Sequence, residues 1–521
     1  MTAKSSRYIK NAALIVIALV TLGACVKKET AVAAKKALDG YGNYYEIFVG
    51  SFYDSNGDGM GDLRGVIQKL DYLNDTKPDS NTSLHINGLW LMPIMPSPSY
   101  HKYDITDYYA IDPAYGNISD FDALSAECDK RGIKLIIDLV MNHTSSEHEW
   151  FQRAWNGDEE YQRYYHVVDT RPPGNYYSLG DTGKFYEGDF WSGMPDLNFD
   201  NNAVRAEFEK IAAFWLEKGV AGFRLDAIKH VDTARQKSIE VTRWFTDYCK
   251  SIKDDVYVVG EVWSDDAEII AFYASGIPSL FNFSLAQENG VIARAVNTSV
   301  GADFARNVIR WRTLMARQNP AAIDAPFMAN HDTDRAAGYF ASDIVKMKMA
   351  AALYLFMPGN PFIYYGEEIG MEGRGIDENK RGPMIWSTND SAGITHGPDN
   401  MTQRWAASAG VSEQLADPSS LIRFYIDAIR LKNQYPVIYN GAPSELPSQD
   451  RAIAAYIVSD SLTRVAIIHN LASVAKTVSV VDAASIAGFL SAAASAVAPS
   501  LQDAALELPP YSTALLLLSD Q

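Results

Sequence analysis

The chain has 521 residues, of which 47% are hydrophobic and 12% aromatic, and its formal net charge is −18. This length and hydrophobic content are typical of a globular protein with one large domain and smaller satellites. The excess of 64 acidic over 46 basic residues argues against nucleic acid or an anionic membrane surface as a binding partner.

Residues 1–24 have the pattern of an export signal: a basic start followed by an apolar run from Ala12 to Val20. The sequence Leu-Gly-Ala-Cys that ends at Cys25 resembles the lipobox of bacterial lipoproteins. Lipidation of Cys25 would anchor the exported protein to the cell envelope. Because Val26 follows, and not Asp, this would be the outer membrane in a Gram-negative host. A plain secretory signal or a short anchor helix are the alternatives, and residues 25–40 are predicted to be a tether.

From Tyr41 onward, apolar β-rich runs alternate with helical stretches, which is the rhythm of a parallel sheet. The predicted strands are Tyr45–Gly50, Gly88–Pro93, Lys134–Leu139, Gly222–Leu225, Val256–Gly260, Ser279–Phe283, Pro326–Ala329 and Pro361–Tyr365. Helices are predicted at Leu63–Leu73, Ile118–Arg131 and Ala203–Lys218. The pattern predicts an α/β fold, a (β/α)8 TIM barrel formed by residues 41–141 and 202–432.

Two stretches depart from this rhythm. Residues 142–201 are rich in Tyr, Trp, Gly, Asp and Pro, and they are too many for an ordinary loop, so they are predicted to be a small inserted domain after strand 3. Residues 433–521 are predicted to be a C-terminal antiparallel β-sandwich. Its predicted strands are Ile453–Val458, Arg464–His469, Thr477–Val481 and Thr513–Leu518, whereas Ala484–Ser500 has no assignment.

Apart from Cys25, the chain has only Cys128 and Cys249. Two cysteines do not form a disulfide framework in a chain of this size. Both lie in predicted helices, so we expect buried free thiols.

Lone carboxylates stand just past three strand-like segments, at Asp226, Glu261 and Asp332. Because a barrel collects its strand ends on one face, these side chains can converge there. Converging carboxylates suggest the cleavage of glycosidic bonds, which needs one acid and one nucleophile. Arg224 lies two residues before Asp226 on the same strand face, where its guanidinium would keep Asp226 ionised. Glu261 must stay protonated, which requires a raised pKa from apolar surroundings, such as Trp263, or from nearby carboxylates.

A short acidic loop follows the first predicted strand and suits a hard cation. Oxygen ligands recur at alternate positions, with Gly where the loop must turn, as in the first part of an EF-hand loop. The candidate Ca2+ ligands are Asp54, Asn56, Asp58, Asp62 and the Met60 carbonyl. The twelfth position is Gly65 and not Glu, so the loop is not an EF-hand, and a Gly/Asp-rich surface turn is the alternative.

Four blocks, in this order, resemble those of glycoside hydrolase family 13, the α-amylase family: Asp138–His143, Gly222–His230, Gly260–Trp263 and Phe327–Asp332. Further matches are Ser99–Ile105, Met194–Asn198 and Pro361–Gly370, so that the resemblance covers nearly the whole chain from Tyr41. The resemblance implies that Asp226 is the nucleophile, Glu261 the general acid/base and Asp332 the transition-state stabiliser.

The resemblance also implies a set of residues that bind an α-glucan substrate, namely Tyr103, Asp104, His143, Arg224, Lys229, His230, His331 and Arg381. For Arg381, a structural salt bridge is the alternative. Loops like Asp54–Asp62 bind structural Ca2+ in this family, and a second such site would use Asn142, Asp196 and the His230 carbonyl. Neither ion would take part in the chemistry.

The subfamily is indicated by the stretch Met194–Asn198, which is intermediate between the patterns of oligo-1,6-glucosidases and neopullulanases, as in secreted lipoprotein amylases. Ala227 and Lys229–His230 resemble α-1,4-specific members. The expected function is therefore retaining endo-hydrolysis of α-1,4-glucosidic bonds in starch and maltodextrins by a monomer. The alternatives are an exo-acting α-glucosidase or a transglycosylase and, more remotely, a non-catalytic glucan-binding lipoprotein.

Overall fold

The computed structural model describes residues 40–403, 409–493 and 497–519. The predicted export signal, the tether and Cys25 lie outside this range. Within it, no helix is both long and apolar enough to cross a membrane.

The described chain is built around a parallel sheet of eight strands. They are β1 (Tyr44–Ile47), β2 (Gly88–Leu91), β3 (Lys134–Leu139), β4 (Gly222–Leu225), β5 (Tyr257–Gly260), β6 (Ser279–Phe281), β7 (Ile323–Ala325) and β8 (Phe362–Tyr364). From β1 to β7 each strand pairs with the next one in sequence, and β1 also pairs with β8. A parallel bridge between Phe327 and Phe362 brings the chain after β7 beside β8 and closes the predicted barrel.

Apolar side chains on both faces of the strands explain why this sheet closes. The inside is filled by aromatic rings from different strands: Trp90 lies 5.4 Å from Phe281, and Phe281 lies 4.9 Å from Phe362 between ring centroids. The outside packs against helices, for example through Trp215 and Trp311, which are fully buried. Strands buried on both faces read as continuous apolar runs, which is why most of them could be predicted.

One predicted strand was wrong in position. The seventh strand is Ile323–Ala325, and the predicted stretch Pro326–Ala329 contributes only the isolated bridge of Phe327. The strand carries a buried acid, Asp324, whose carboxylate accepts hydrogen bonds from Asn282 Nδ2 and, at 2.9 Å, from Trp311 Nε1. This central Asp hid the strand from a search for apolar runs.

Helices fill the intervals between barrel strands. The predicted helix Leu63–Leu73 is divided at Lys69 into Leu63–Gln68 and Leu70–Leu73. Asn117 begins the next helix with a capping box. The other α-helices of the barrel are Ile118–Lys130, Asn202–Glu217, Arg235–Ile252, Asp266–Phe272, Val291–Thr298, Gly301–Gln318, Ala336–Tyr339, Ile344–Leu355, Asp377–Lys380, Val411–Ala416, Leu421–Gln434 and Val437–Asn440.

Between β3 and β4 the chain forms the predicted insertion, with helices Glu149–Trp155 and Glu159–Gln162. Its antiparallel sheet consists of Val167–Val168 and Tyr176–Ser178 on either side of Phe185–Glu187. Bridges from His143 to Asp196 and from Tyr165 to Leu197 tie its last segment to the chain that follows β3. The segment that precedes Asp196 is thereby held at the mouth of the barrel.

The C-terminal region consists of antiparallel sheets, as predicted. The larger sheet has the order Ala442–Glu445, Ile453–Ser459, Arg464–Asn470, Ser512–Leu518 and Ala483–Ser491, and the smaller one has the order Lys476–Ser479, Ala505–Leu508 and Ser500–Gln502. Ile468, Leu516, Val478 and Leu506 form a shared core between the two sheets. The stretch Ala484–Ser500, which had no assignment, thus contains most of the strand Ala483–Ser491. The helix Leu421–Gln434 runs across the predicted domain boundary at residue 433. Cys128 and Cys249 are buried free thiols in helices, as expected.

A buried histidine lies where this region packs against the barrel. The ring of His469 is close to Phe304, Phe356 and Tyr456, and its Nδ1 lies 2.8 Å from Thr513 Oγ1. Burial lowers the pKa of His469 to about 3. The folded protein therefore holds this ring neutral under conditions in which an unfolded chain would protonate it.

We predict that His469 makes the protein less stable in acid. An unfolded histidine has a pKa of about 6.5, so the unfolded state binds the extra proton as the pH falls below that value, and the contribution of the neutral ring to stability is lost. In His469→Gln, the free energy of unfolding should depend less steeply on pH between about 6 and 4, by up to about 1.4 kcal/mol per pH unit. Urea unfolding at several pH values measures this slope. The exposed His396→Gln is the control, and an unchanged slope in His469→Gln would contradict the prediction.

Candidate active site

A cavity of about 620 Å³ opens at the carboxyl ends of the barrel strands. The three predicted catalytic carboxylates, Asp226, Glu261 and Asp332, all line it. Its other lining residues are His101, Tyr103, His143, Phe190, Met194, Ala227, Lys229, His230, Trp263, Asp377 and Arg381. The structure thus brings together side chains from strand ends that lie more than a hundred residues apart in the sequence.

One buried guanidinium connects the carboxylates at the floor of this cavity. Arg224 Nη1 lies 2.6 Å from Asp226 Oδ1 and 2.9 Å from Asp138 Oδ1, and its Nη2 lies 2.9 Å from Glu261 Oε2. Arg224 is fully buried and lies below the cavity wall. Its predicted pairing with Asp226 is present, and its predicted contact with substrate stays a prediction, because the acids lie between it and the cavity.

The backbone after Asp226 is held in an uncommon conformation. Ala227 has φ 44° and ψ 39°, in the left-handed region that residues with a Cβ rarely adopt. Its N–H donates a hydrogen bond of 3.0 Å to Glu261 Oε2. The turn therefore fixes the Glu261 carboxyl relative to Asp226, and strain of this kind is common at functional sites.

Burial decides the protonation of two acids around Arg224. It raises the pKa of Glu261 above its ordinary value, and Asp226 and Asp332 act in the same direction, while Arg224 opposes them. It also raises the pKa of Asp138 to about 7, against the attraction of Arg224. For Glu261 the direction is that required of a general acid.

The third acid, Asp332, lies between two cationic groups. Its Oδ2 lies 3.0 Å from His331 Nε2, and its Oδ1 lies 2.8 Å from Arg381 Nη2. Although burial acts in the opposite sense, these partners lower the pKa of Asp332 far below its usual range. Arg381 therefore both lines the cavity and forms the salt bridge that was the alternative for it.

The contacts of His331 and Asp104 with substrate stay predictions, and both residues lie behind the cavity lining. His331 is fully buried behind Asp332 and does not line the cavity. Asp104 is also buried, and its carboxylate accepts hydrogen bonds from the hydroxyls of Ser97 and Ser99. Both residues hold the wall of the cavity and do not face its interior.

The other predicted substrate-binding residues do face the cavity. Tyr103 presents one edge to it and stacks on His331, with 5.5 Å between ring centroids. Burial lowers the pKa of His143 to about 4, and its Nε2 has no hydrogen-bond partner in the described chain. Lys229 Nζ donates to the Trp263 carbonyl at 2.7 Å, and His230 Nδ1 lies 2.5 Å from Asp189 Oδ2.

Phe190 is a cavity residue that had no sequence signal. Phe190 comes from the irregular inserted segment, where its ring lies 5.2 Å from that of His143 and 5.3 Å from that of His230. It is 48% exposed, and Trp263 on the cavity wall is 41% exposed. Large exposed rings in a sugar-sized cavity suit stacking on the apolar faces of pyranose rings. Asp138 stood in a matched block of the sequence. The apolar residues that precede it in β3 were the signal that it is buried.

The acidic loop folds around its own carboxylates. Asp54 accepts hydrogen bonds from the N–H groups of Asn56, Gly57 and Gly59, and Asp58 Oδ1 accepts one from Met60 N. The two glycines have φ 86° and φ 91°, which only glycine adopts readily. These amides lower the pKa of Asp54 against the effect of its burial, so it is ionised.

One predicted ligand of this loop has another role as well. Asp62 caps the helix Leu63–Gln68, because its Oδ1 accepts from Gly65 N at 2.7 Å, and both its oxygens accept from Ser55. Asp54, Asn56, Asp58 and the Met60 carbonyl still form an oxygen-only set that suits a hard cation. Across the described residues, no group of three or more His, Cys, Asp or Glu side chains is arranged to hold a metal ion.

The residues of the predicted second cation site lie beside another cavity of about 920 Å³, between the inserted segment and the barrel. Asn142 Nδ2 donates to Asp196 Oδ1 at 3.0 Å, whereas Asn142 Oδ1 is buried without a partner in the described chain. Burial raises the pKa of Asp196 to about 8, and Glu187 and Asp189 add to this effect. An unpaired amide oxygen beside a buried carboxyl is donor chemistry that fits a cation.

A barrel with three carboxylates at its mouth is the architecture of an enzyme that cleaves glycosidic bonds. The sequence pattern of the family Alpha-amylase, described as "Alpha amylase, catalytic domain", matches residues 46–441. The chain belongs to the α-amylase family of glycoside hydrolases, and it is an enzyme of the α-amylase type.

Similar proteins include enzymes with different names. Alpha-amylase 3 of Dictyoglomus thermophilum is 40% identical over 453 residues, which cover 83% of this chain and 85% of the relative. Trehalose-6-phosphate hydrolase of Escherichia coli is 31% identical over 490 residues, which cover 78% of this chain and 85% of the relative. The solved structure of Eubacterium rectale Amy13B has a TM-score of 0.86 and 38% identity, and the match covers 93% of this chain and 96% of that one.

We predict that Arg224→Lys disables the site although the positive charge is kept. A lysine presents one compact ammonium and cannot reach all three acids as the planar fork does. Asp226 and Glu261 would then lose their common anchor, so kcat/KM on a maltooligosaccharide should fall at least about 100-fold, or about 2.7 kcal/mol of transition-state stabilisation. Arg312→Lys, on a barrel helix, is the control and should stay near the wild-type rate. A folded Arg224→Lys with wild-type kcat/KM would contradict the role of Arg224.

Proposed function

We propose that the protein is a retaining endo-hydrolase of α-1,4-glucosidic bonds in starch and maltodextrins. The observation that carries this proposal is the pairing of Asp226 and Glu261 on one buried guanidinium, with Asp332 facing the same cavity. A retaining mechanism needs two carboxyl groups about 5–5.5 Å apart, and neighbouring nitrogens of a single guanidinium favour such a close arrangement.

In the first step, the Glu261 carboxyl gives its proton to the glycosidic oxygen while Asp226 attacks the anomeric carbon. The bond to the leaving glucan breaks, and an ester forms between the sugar and Asp226. In the second step, Glu261, now a carboxylate, takes a proton from water. The water oxygen attacks the anomeric carbon, and Asp226 is released. Two inversions give net retention of the α-configuration.

The remaining groups hold the sugar during this reaction. The ionised Asp332 accepts hydrogen bonds from sugar hydroxyls and favours the distorted, oxocarbenium-like geometry. His143, neutral and with a free Nε2, is placed to bind a hydroxyl, and Tyr103 offers a ring face. Arg381 and Lys229 line the two sides of the same cavity.

Endo action is supported by the space beyond the catalytic carboxylates. The catalytic cavity and the larger polar cavity beside it share Lys229 and His230 as lining residues. The leaving-group side of the site therefore has room for further sugar units. The relative named alpha-amylase supports this choice, and Ala227 after the nucleophile favours α-1,4 bonds. The intermediate pattern at Met194–Asn198 supports a place between the oligo-1,6-glucosidase and neopullulanase subfamilies.

We predict that maltoheptaose labelled at its reducing end is cut internally. Labelled fragments of intermediate length should form at low conversion, because the cavity continues past the cleaved bond. Stepwise release of unlabelled glucose would contradict endo action and identify an exo-α-glucosidase. Labelled chains longer than the substrate would instead identify a transglycosylase. Binding without any cleavage would indicate a glucan-binding lipoprotein.

We also propose a structural Ca2+ ion at the loop Asp54–Asp62, held by Asp54, Asn56, Asp58, Asp62 and the Met60 carbonyl. The ion would crosslink the loop that follows β1 and would not enter the reaction. Asn142 and Asp196, near His230, would hold a second ion, since a cation there would offset the buried carboxyl.

We predict that Ca2+ raises the midpoint of thermal unfolding by several degrees, and that Asp58→Ala removes most of this effect. A ligand at 100 times its Kd stabilises the folded state by about 2.7 kcal/mol. Differential scanning calorimetry of protein treated with EDTA, with and without added CaCl2, measures the shift. Asp107→Ala, at another exposed aspartate, should behave like wild type. An equal Ca2+ effect in Asp58→Ala would exclude this loop.

Finally, we propose that the protein is exported and anchored to the cell envelope by a lipid on Cys25, and that it acts as a monomer. The lipobox-like sequence before Cys25 supports the anchor. An anchor of this kind would keep an acidic enzyme at the cell surface, where starch and maltodextrins are encountered.

A further inference from the structure

Glu46, near the end of β1, is a buried acid that the proposed reaction does not use. Its side chain is 1% exposed and reaches across the barrel interior to the chain that follows β7. There, Glu46 Oε1 lies 2.5 Å from His331 Nδ1. A buried carboxylate needs a cation or hydrogen-bond donors beside it, because an unpaired charge is strongly disfavoured there.

The imidazole of His331 is fixed on all sides. Its Nε2 lies 3.0 Å from Asp332 Oδ2 and 2.6 Å from Tyr103 Oη. The Tyr103 ring stacks on it, and the edge of the Trp90 ring lies against it with 5.7 Å between centroids. The ring is fully buried, so it has no room to turn away from either carboxylate.

Counting the hydrogen-bond donors and acceptors around His331 shows which protonation state of its ring fits this geometry. Tyr103 Oη lies 3.0 Å from Asp138 Oδ2 and donates its proton there, so it can only accept from His331 Nε2. The Asp332 carboxylate can also only accept. His331 Nε2 must therefore carry a proton, and so must Nδ1 if it is to donate to the Glu46 carboxylate. With Glu46 ionised, the imidazolium is the form of His331 that donates to both carboxylates.

We propose that Glu46 is a positioning residue for catalysis: it holds His331 as an imidazolium, and this cation in turn fixes Asp332 and Tyr103 at the cavity wall. Glu46 itself touches no substrate. The inference rests on the proposed function, since it assigns Glu46 a role through the catalytic Asp332.

The charges around His331 are consistent with this role. Asp332 lies beside it, Glu46 faces it from β1, and Tyr103 stacks on it. Asp138 approaches from β3, Arg224 from β4 and Glu261 from the end of β5, with Arg381 next to Asp332. Burial lowers the pKa of His331, but Asp332 and Glu46 together raise it to about 10. Removing the charge of Glu46 deletes one of the two anions that stabilise the cation.

The first test compares Glu46→Gln with wild type. Glutamine keeps an oxygen at Oε1 and removes the negative charge. We expect kcat on maltoheptaose to fall roughly ten- to hundredfold, the loss seen when the outer partner of a ligating histidine is removed at metal sites. KM should change by less than about threefold, because Asp332 acts chiefly in the transition state. Glu368→Gln is the matched control, since Glu368 is also buried but is bound by Tyr45 and Tyr72 and does not contact His331.

The second readout is the protonation state of His331, which a merely structural role of Glu46 would not change. In protein labelled with ¹⁵N-histidine, one imidazolium signal should persist above pH 8 in wild type and disappear in His331→Asn, which identifies it. In Glu46→Gln the same signal should change to that of a neutral ring at a lower pH than in wild type. Glu368→Gln should leave it in place.

Three results would overturn the proposal: a neutral His331 in wild type at pH 7, a wild-type kcat in folded Glu46→Gln, or an equal loss of kcat in Glu368→Gln. The wild-type spectrum decides the protonation state even where Glu46→Gln fails to fold. The spectrum is measured without turnover, so it tests the role of Glu46 separately from the proposed function. An imidazolium at His331 in a protein that does not cleave α-glucans would refute the proposed function, whereas a neutral His331 in an active enzyme would refute the role of Glu46.

Discussion

The Arg224 guanidinium is a permanent positive charge with no access to solvent, and it can exist at the floor of the barrel only if acids surround it. Its partners come from three neighbouring strands. The register pairs Arg224 with Asp138 across β3 and β4, and Leu225 with Gly260 across β4 and β5. Backbone hydrogen bonds extend this ladder past the strand ends, from Asp226 N to the Leu139 carbonyl and from Glu261 N to the Leu225 carbonyl. A shift of one residue would turn these acids to the other face of the sheet.

The fold could largely be predicted because its signals are local and repeated. β3 and β4 have the predicted bounds, since Lys134–Leu139 and Gly222–Leu225 are apolar runs between clear ends. β7 was misplaced because its central Asp324 is satisfied by hydrogen bonds from Asn282 and Trp311, which lie far from it in the sequence and are not part of a local pattern. The strand Ala483–Ser491 was not predicted because Ala and Ser have weak strand preference. Its pairing with the strand Ser512–Leu518 stabilises it as a strand.

For the active site, the sequence indicated which residues converge but not how deeply each side chain is buried. Asp226, Glu261 and Asp332 could be predicted since each follows an apolar run, and the barrel brings the strand ends together. That Arg224 and His331 lie buried beneath the acids depends on packing across the barrel. Phe190 and Glu46 could not be found for opposite reasons. Phe190 belongs to an irregular segment, and Glu46 reads as an ordinary strand residue until the barrel places His331 opposite it.

The most direct test is to trap the sugar on Asp226. In Glu261→Gln, a maltosyl fluoride should still glycosylate the enzyme, because fluoride leaves without an acid, whereas water is no longer activated and starch turnover should fall by orders of magnitude. Mass spectrometry of the digested protein should then show one added maltosyl unit on the peptide that contains Asp226. An adduct on another residue, no adduct at all, or unchanged starch turnover in Glu261→Gln would contradict the assignment of these two carboxylates.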